Sequence, residues 1–445
     1  MASGVAQPVK HSKGELQQYQ SLPLQSKINM TQQRIKAWVE HYGEDGVYVS
    51  FSGGKDSTVL LYLVRELYPN VPAVFVDTGL EYPEIRQFVK TFRNVTWLKP
   101  KKTFKQVIKE YGYPFISKEV SEKAYYAKKY LTWWLNEHSI DRPTDRPTDR
   151  KIPTPFGLAD LFGIHNRKRD EFGALRKGII PSDMLDEIFA MTGNSSAKCK
   201  SLFGTYEHKK NGVPTGEKSA MFDFSRHRYL IYAPWTFSSY CCSIMKKAPT
   251  KKYAHKNGRH PMSAQMAAES RLRTLMWEKN GCNGFDMKEP ISNPMAFWTE
   301  QDVLLYLYQH GDEMVAQRKR EYAEDHPDED LEKVFSTGEW GAMCSVYGDI
   351  VAEGGSDDYQ IDFSSFGLFE RELPTFHTTG CKRTGCVFCG YGCHMEKPGE
   401  GRFLRLKETH PKVYDYIMRP EEEGGLNYRE IIDWINANGG YHIEY

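Results

Sequence analysis

Short apolar runs alternate with amphipathic stretches over the first part of the chain. Val47 to Phe51 is a strand-length apolar run, and Thr58 to Leu67 carries Leu60, Leu61, Val64 and Leu67 at helical spacing. The unit closes at Tyr68-Pro69-Asn70. Val71–Asp77 repeats the strand pattern, followed by a helical pattern near Pro83–Phe92, and Val95–Leu98 is followed by a helical Thr103–Tyr111. A helix over Met30–Tyr42 precedes these units, and one over Tyr428–Asn438 lies near the end of the sequence. Strands alternating with helices predict an α/β fold with a doubly wound parallel sheet. In such a sheet ligands bind at the carboxyl ends of the strands.

The rhythm breaks twice, which divides the chain into six parts. Residues 1–30 form a polar N-terminal extension in which Leu22 to Ile28 docks on the body. Residues 31–125 are the first part of the core, 126–225 an insertion, 226–310 the second part of the core, 311–375 a second insertion and 376–445 a cysteine-rich C-terminal region. The first insertion holds Asp141-Arg142-Pro143-Thr144 and its immediate repeat Asp145-Arg146-Pro147-Thr148, an extended solvated loop by composition. Trp133, Trp134 and the basic run His165 to Arg169 make this segment either a lid or macromolecule contact, or a decoration without a contact role. The second insertion carries an acidic stretch, Glu324 to Glu332, and Gly/Asp-rich segments.

Composition narrows the class. The 445 residues are 40% hydrophobic, enough for a sizeable core, and the net charge is +1. So small a charge produces no global field toward nucleic acid or membrane, and any such contact must be local. No apolar run approaches the roughly 18 residues of a membrane span. The polar start, Met1 to Gln20, has no apolar signal core, so a cytoplasmic location is expected. In that reducing compartment nine cysteines are thiols or metal ligands rather than disulfides.

The chemistry concentrates at Ser50-Phe51-Ser52-Gly53-Gly54-Lys55-Asp56-Ser57, between a strand and a helix N-terminus. Two glycines let the backbone approach a ligand closely. The first helical turn offers unpaired N–H groups and the positive end of the dipole. Ser52, Ser57 and Thr58 add hydroxyls and Lys55 a charge, which together make a phosphate cradle. The Walker spacing Gly-x-x-x-x-Gly-Lys-Ser/Thr is absent.

A second constellation is Cys381, Cys386, Cys389 and Cys393, spaced Cys-x4-Cys-x2-Cys-x3-Cys, with the adjacent pair Cys241-Cys242 far upstream. Four thiolates in one site mean zinc or an iron–sulfur cluster. Spacing favours a self-contained late site. Cys199, Cys282 and Cys344 are isolated and read as small buried hydrophobes. Lys246, Lys247, Lys251 and Lys252 follow the Cys pair, and Glu269-Ser270-Arg271-Leu272-Arg273 reads as part of a helix; arginines suit bidentate phosphate or sulfate recognition.

Ser52-Gly53-Gly54-Lys55-Asp56-Ser57 after a strand resembles the pyrophosphate loop of the PP-loop ATP pyrophosphatases. With Val76-Asp77-Thr78-Gly79 and Asn293-Pro294-Met295-Ala296-Phe297-Trp298-Thr299, the chain resembles the phosphoadenosine phosphosulfate (PAPS) reductase family in its broad sense. The resemblance implies an adenine nucleotide alpha hydrolase-like fold binding ATP and Mg²⁺. Ser52, Gly53, Gly54, Lys55, Asp56 and Ser57 would hold pyrophosphate, Asp56 would support the metal, and Asp77, Thr78 and Gly79 would face the nucleotide. It places Arg271 and Arg273 near the substrate's anionic end and, with Lys55 and Asp56, among the catalytic groups. Cys241 to Pro249 looks like the double-cysteine segment of adenylyl-sulfate reductases, and Gly385 to Cys389 like its second half. That implies a [4Fe-4S] cluster on Cys241, Cys242, Cys386 and Cys389, with Cys381 as an alternative ligand in place of one of the pair.

One departure bears on the reaction. Assimilatory reductases carry a Glu-Cys-Gly-His-like tail whose cysteine attacks the sulfonate; here the last cysteine is Cys393, inside the cysteine-rich run. The expectation is therefore a cytoplasmic enzyme that adenylates a substrate, releases pyrophosphate and supports sulfur transfer with an iron–sulfur cluster. Nucleic acid is the expected kind of acceptor, a cysteine desulfurase the sulfur donor, and a homo-oligomer the assembly. The alternatives are a thiol-dependent reductase of PAPS or adenylyl sulfate, and a non-enzymatic nucleotide-sensing regulator.

Overall fold

The computed structural model describes residues 10–137, 197–210, 213–335, 341–354 and 374–445. The Asp-Arg-Pro-Thr repeat, the basic run His165 to Arg169, the side chains of Trp133 and Trp134 and most of the Gly/Asp-rich part of 311–375 lie outside them. The chain divides into two compact units, one of residues 1–100 and 246–387, the other of residues 101–245 and 388–445. No described helix is long and apolar enough to cross a membrane.

The first unit is built on a six-stranded, mostly parallel sheet. Its strands are β1 (Val47–Ser50), β2 (Ala73–Val76), β3 (Val95–Leu98), β4 (His260–Met262), β5 (Asn283–Gly284) and β6 (Ile291–Ser292), in the order β3-β2-β1-β4-β6-β5. Only β5 runs antiparallel, against β6. Val47, Tyr48 and Val49 are all buried, as expected for a strand covered on both faces. From β1 the chain moves outward through β2 to β3, then returns on the other side of β1 as β4. That reversal puts a topological switch point beside the end of β1, where open α/β sheets bind ligands.

Helix Lys55–Leu67 follows β1 and buries Val59, Leu60, Leu61, Leu63 and Val64, more than one stripe of its surface. It begins three residues before Thr58, because Gly54 already stands in extended N-cap geometry. Helix Pro83–Lys90 follows β2 and buries Ile85, Phe88 and Val89. Helix Leu24–Tyr42 is longer than the apolar pattern from Met30 suggests. Leu24 and Ile28 join the core, and Lys27 is buried against Asp302 at 2.7 Å. The Asn293–Thr299 segment places Trp298 fully in the core, where its indole N–H donates to Thr31.

In the second unit, helices Phe104–Tyr111, Lys118–Glu137, Arg402–Thr409, Pro411–Met418 and Tyr428–Gly439 surround a core that includes Phe115, Phe237, Phe403, Ile417 and Ile431. A short parallel pair joins Phe115–Ile116 to Gly390–Tyr391. Tyr428 is buried, and its hydroxyl donates to the Phe388 carbonyl at 2.5 Å.

The boundaries drawn at 125/126 and 310/311 fall inside helices Lys118–Glu137 and Glu300–Asp325, which run on without a break. The charge-rich second half of Glu300–Asp325 reads as an interruption in the sequence. On the folded chain much of that charge is the solvated face of a helix whose other side buries Gly311, Met314 and Arg318.

Candidate functional site

The loop after β1 turns at Gly53, whose φ of +71° belongs to the left-handed region. A Cβ there would also lie 2.8 Å from Val89 Cγ2 and 2.9 Å from Ile85 Cγ2, so both backbone and space require glycine. Gly54 then leads into helix Lys55–Leu67.

The hydroxyls around the turn brace it. The Ser52 N–H donates to Ser57 Oγ at 3.2 Å and the Gly54 N–H to Ser52 Oγ at 3.3 Å. Ser57 and Thr58 donate back to the Gly54 carbonyl at 2.9 and 3.0 Å.

Lys55 is buried, and its ammonium donates to the Lys382 carbonyl at 2.7 Å and pairs with Glu300 Oε1 at 2.9 Å. Its backbone N–H donates to the Tyr347 hydroxyl at 3.2 Å, which in turn lies 2.6 Å from Thr384 Oγ1. Asp56 beside it is half-buried, and its buried Oδ1 has no hydrogen-bond partner. Burial pushes the Asp56 carboxyl above the usual carboxylate range against the pull of Lys55; Glu300 adds to the rise, while Arg383 and Arg273 oppose it.

Glu269 ties those two arginines together. It pairs with Arg273 one helical turn on and with Arg383 Nη1 at 3.3 Å. Burial, then the neighbouring Arg383, lowers the Arg273 guanidinium from its ordinary range. Arg271 is exposed at the first position of helix Arg271–Asn280. Of the two expected arginines, Arg273 is the one that acts on Asp56.

The Asp77-Thr78-Gly79 turn at the end of β2 is committed to its own surroundings. Asp77 accepts from Arg86 at 2.9 Å and from the Gly79 N–H at 3.2 Å, and Thr78 donates to Glu81 at 2.8 Å. The turn thereby fixes the Glu81 and Arg86 side chains.

A cavity of about 800 Å³ opens at the carboxyl ends of the strands. Ser50 to Ser52, Val74 to Val76, Thr384 and Gly385 line one part of it; Lys246, Lys247, Lys251, Arg259 and Lys288 line another. Two of these lysines are partnered on the wall, Lys246 with Glu81 at 3.6 Å and Lys251 with Glu289 at 2.6 Å. Phe75, Ile85 and Met287 add apolar surface to the lining. A cavity of this size and polarity suits a nucleotide-sized anion.

Residues 46–130 match the Phosphoadenosine phosphosulfate reductase domain family. The match covers 85 of the 445 residues. A PAPS reductase from Synechocystis sp. is 37% identical over 60 residues, which is 14% of this chain and 24% of that protein. One from Baumannia cicadellinicola is 39% identical over 62 residues, 14% of this chain and 25% of its own length. An uncharacterized protein of Methanocaldococcus jannaschii is 38% identical over 69 residues, 14% of this chain and 17% of its own. The chain thus spans a quarter or less of the length of these relatives. The PP-loop and the Asp77 turn fall inside the matched PAPS reductase domain, whereas Arg273, Glu300, Tyr347 and the cysteines fall outside it.

The candidate metal ligands of this PAPS reductase-like chain divide between the two units. Cys381 and Cys386 lie in the first; Cys241, Cys242, Cys389 and Cys393 lie in the second. In the second unit Cys241, Cys242 and Cys389 all raise the Tyr391 phenol, after burial, which places these three thiols in one neighbourhood. Cys393 lies near them, since it raises the Tyr428 phenol together with Cys389 and Cys241 after burial; its thiol donates to the Gly390 carbonyl at 2.8 Å, and burial pushes it up to about 12. Cys381 likewise donates to the Val346 carbonyl, at 3.2 Å. Among the described residues no group of three or more His, Cys, Asp or Glu side chains is arranged to hold a metal ion.

Tyr347, Lys382, Thr384, Glu300 and Glu269 are site residues that the motif reading did not single out. Thr384 and Glu300 had a faint signal, since each adjoins a recognised segment: Gly385 to Cys389 and Asn293 to Thr299. Tyr347 had none.

Proposed function

We propose that this protein binds ATP with Mg²⁺ at the PP-loop, transfers the adenylyl group to a substrate oxygen and releases pyrophosphate. The observation that supports this best is the loop itself. A glycine turn at the sheet's switch point leads into a helix whose first turn carries a buried lysine and a carboxylate with a buried, unpartnered oxygen. The first-turn N–H groups and the Lys55 ammonium stabilise the leaving pyrophosphate. Asp56 Oδ1, buried and without a hydrogen-bond partner, fits a Mg²⁺ ligand. When bound, Mg²⁺ supplies charge that offsets the negative charge developing on the phosphates. Arg273, held by Glu269, adds positive potential beside the loop.

In the step itself the acceptor oxygen attacks the α-phosphorus and a P–O bond forms. The bond from the α-phosphorus to the bridging oxygen breaks, and pyrophosphate leaves with that electron pair. The acceptor's proton passes to solvent.

Nucleic acid as the acceptor and a cysteine desulfurase as the sulfur donor belong to the same proposal. The lysine- and arginine-lined wall of the cavity supports an anionic acceptor, in a chain whose net charge of +1 draws none from a distance.

The second reading, reduction of PAPS or adenylyl sulfate by a thiol donor, is favoured by the names of the matched relatives. It needs a mobile thiolate, and the buried, hydrogen-bonded Cys393 is poorly suited to that role. The two readings part in one assay. Mg²⁺-dependent conversion of ATP to AMP and pyrophosphate, with no sulfite from PAPS or adenylyl sulfate under dithiothreitol, is the expected result. Sulfite at catalytic rates with ATP left intact would replace this reading with the reductase. No turnover of either, with ATP still bound, would leave a nucleotide-sensing regulator.

A further inference from the structure

The donors that a phosphate group needs at the PP-loop are already engaged within the chain. The Ser52 and Gly54 N–H groups are held by Ser57 and Ser52 hydroxyls. The first helical N–H, at Lys55, is held by the Tyr347 hydroxyl, and the Lys55 ammonium by the Lys382 carbonyl and the Glu300 carboxylate. The close approach that Gly54 permits is also taken: a Cβ there would lie 3.2 Å from the Tyr347 hydroxyl and 3.4 Å from Thr384 Oγ1. An incoming pyrophosphate must therefore compete with three oxygens of the protein for one ammonium and one N–H.

We propose that the strap Lys382–Gly385, posted on Tyr347, is a latch that holds the PP-loop closed, and that phosphate binding opens it. This rests on the reading of the loop as a pyrophosphate site.

The two halves of the latch differ in mobility. Tyr347 is fixed from behind. Its ring is 2% exposed, its N–H donates to the Cys344 carbonyl at 3.0 Å, and its carbonyl accepts from the Gly380 N–H at 2.8 Å. The Cys381 N–H secures the next turn on the Val346 carbonyl at 2.8 Å. Beyond that anchor Lys382, Arg383 and Gly385 are exposed, and Thr384 is half-buried on the cavity wall. The strap can lift between the Cys381 anchor and Val387, whose N–H donates to the Leu80 carbonyl at 2.7 Å, at the cost of the Arg383 pair with Glu269, whereas the buried tyrosine ring is held in place.

Lifting the strap frees the ammonium from the Lys382 carbonyl and separates Thr384 from the tyrosine hydroxyl. The latch thus competes with the ligand through hydrogen bonds made only in the closed state. Removing one of them while keeping its shape tightens ligand binding, because the free state loses stability and the bound state does not.

The test uses Mg²⁺–pyrophosphate as the probe, titrated calorimetrically into the full chain and into Tyr347→Phe and Thr384→Val. Each variant keeps the volume of the residue it replaces, and Thr384 sits on the strap rather than in the core, so it reports even if the Tyr347 variant folds poorly. Both variants are expected to bind about two- to tenfold more tightly than the wild type. They should melt at a lower temperature when free and at the wild-type temperature when saturated. Wild-type binding with weaker binding by Tyr347→Phe would make the tyrosine a ligand contact and overturn the latch alone. Unchanged affinity in both variants would also overturn it. Failure of all three proteins to bind pyrophosphate and ATP would overturn the pyrophosphate reading of the loop and the latch with it.

Discussion

Replacing Lys55 by methionine tests the centre of the proposed site. The side chain is 3% exposed, so methionine keeps most of the packing of the aliphatic stem and removes the charge. In the bound state the ammonium donates a charge-assisted hydrogen bond to phosphate, worth about 1.5–3 kcal/mol. Its loss raises the dissociation constant for Mg²⁺–ATP about 10- to 150-fold. The free protein also loses the contacts to the Lys382 carbonyl and Glu300. The Glu300 side chain is 43% exposed, so solvent screens that pair and its share is at most about 1 kcal/mol. Weakening the closed state in this way favours the ligand slightly, which pulls the expected change toward the lower end of its range. The assay is calorimetric titration of wild type and variant with Mg²⁺–ATP and, separately, with adenosine. Adenosine affinity should not change, because adenosine has no phosphate. Equal ATP affinity in the variant would remove Lys55 from the site. A parallel loss for adenosine would mean that the substitution disrupts the fold rather than a phosphate contact.

Two further predictions concern stability. Lys27 and Asp302 form a buried pair at 2.7 Å, and Lys27→Met leaves Asp302 with only its Thr299 hydrogen bonds; urea unfolding should show a loss of roughly 3–5 kcal/mol, and a loss under 1 kcal/mol would show the pair to be solvated. Lys128 is buried, donates to the Ala233 and Trp235 carbonyls at 2.9 Å, and has its pKa pushed down by burial to about 7 from 10.5. Between those values the unfolded chain holds a proton that the folded chain lacks, so the cost of burying Lys128 is full below pH 7 and is relieved as pH rises toward 10.5. The stability of wild type relative to Lys128→Met should therefore rise with pH above 7, by at most about 1.4 kcal/mol per pH unit. A pH-independent difference in denaturant unfolding would show that the lysine stays charged.

The local backbone of this protein was legible in its sequence, and the partners of its functional groups were not. Apolar periodicity over Val47 to Tyr111 identified three strand–helix units, which the structure places within a few residues of where the pattern puts them. The Gly-Gly turn announced a backbone that only glycine adopts, and Gly53 has that conformation. These features are set by dihedral preferences and by spacing along a few turns, which neighbouring residues specify among themselves. Strands β4, β5 and β6 have only two or three residues, too few to carry a period, and they became visible only by pairing beyond β1. Arg271 and Arg273 looked alike in the sequence; helical phase and the placement of Glu269 turned one outward and the other toward Asp56. The cysteine spacing expresses separation along the chain, and the run crosses from one compact unit to the other between Val387 and Phe388. Lys55 looked like an open phosphate ligand. Tertiary structure brought to it a hydroxyl from 292 residues away and a carbonyl from 327 residues away. No local rule predicts such meetings, because they depend on which loops the sheet order brings to the end of β1.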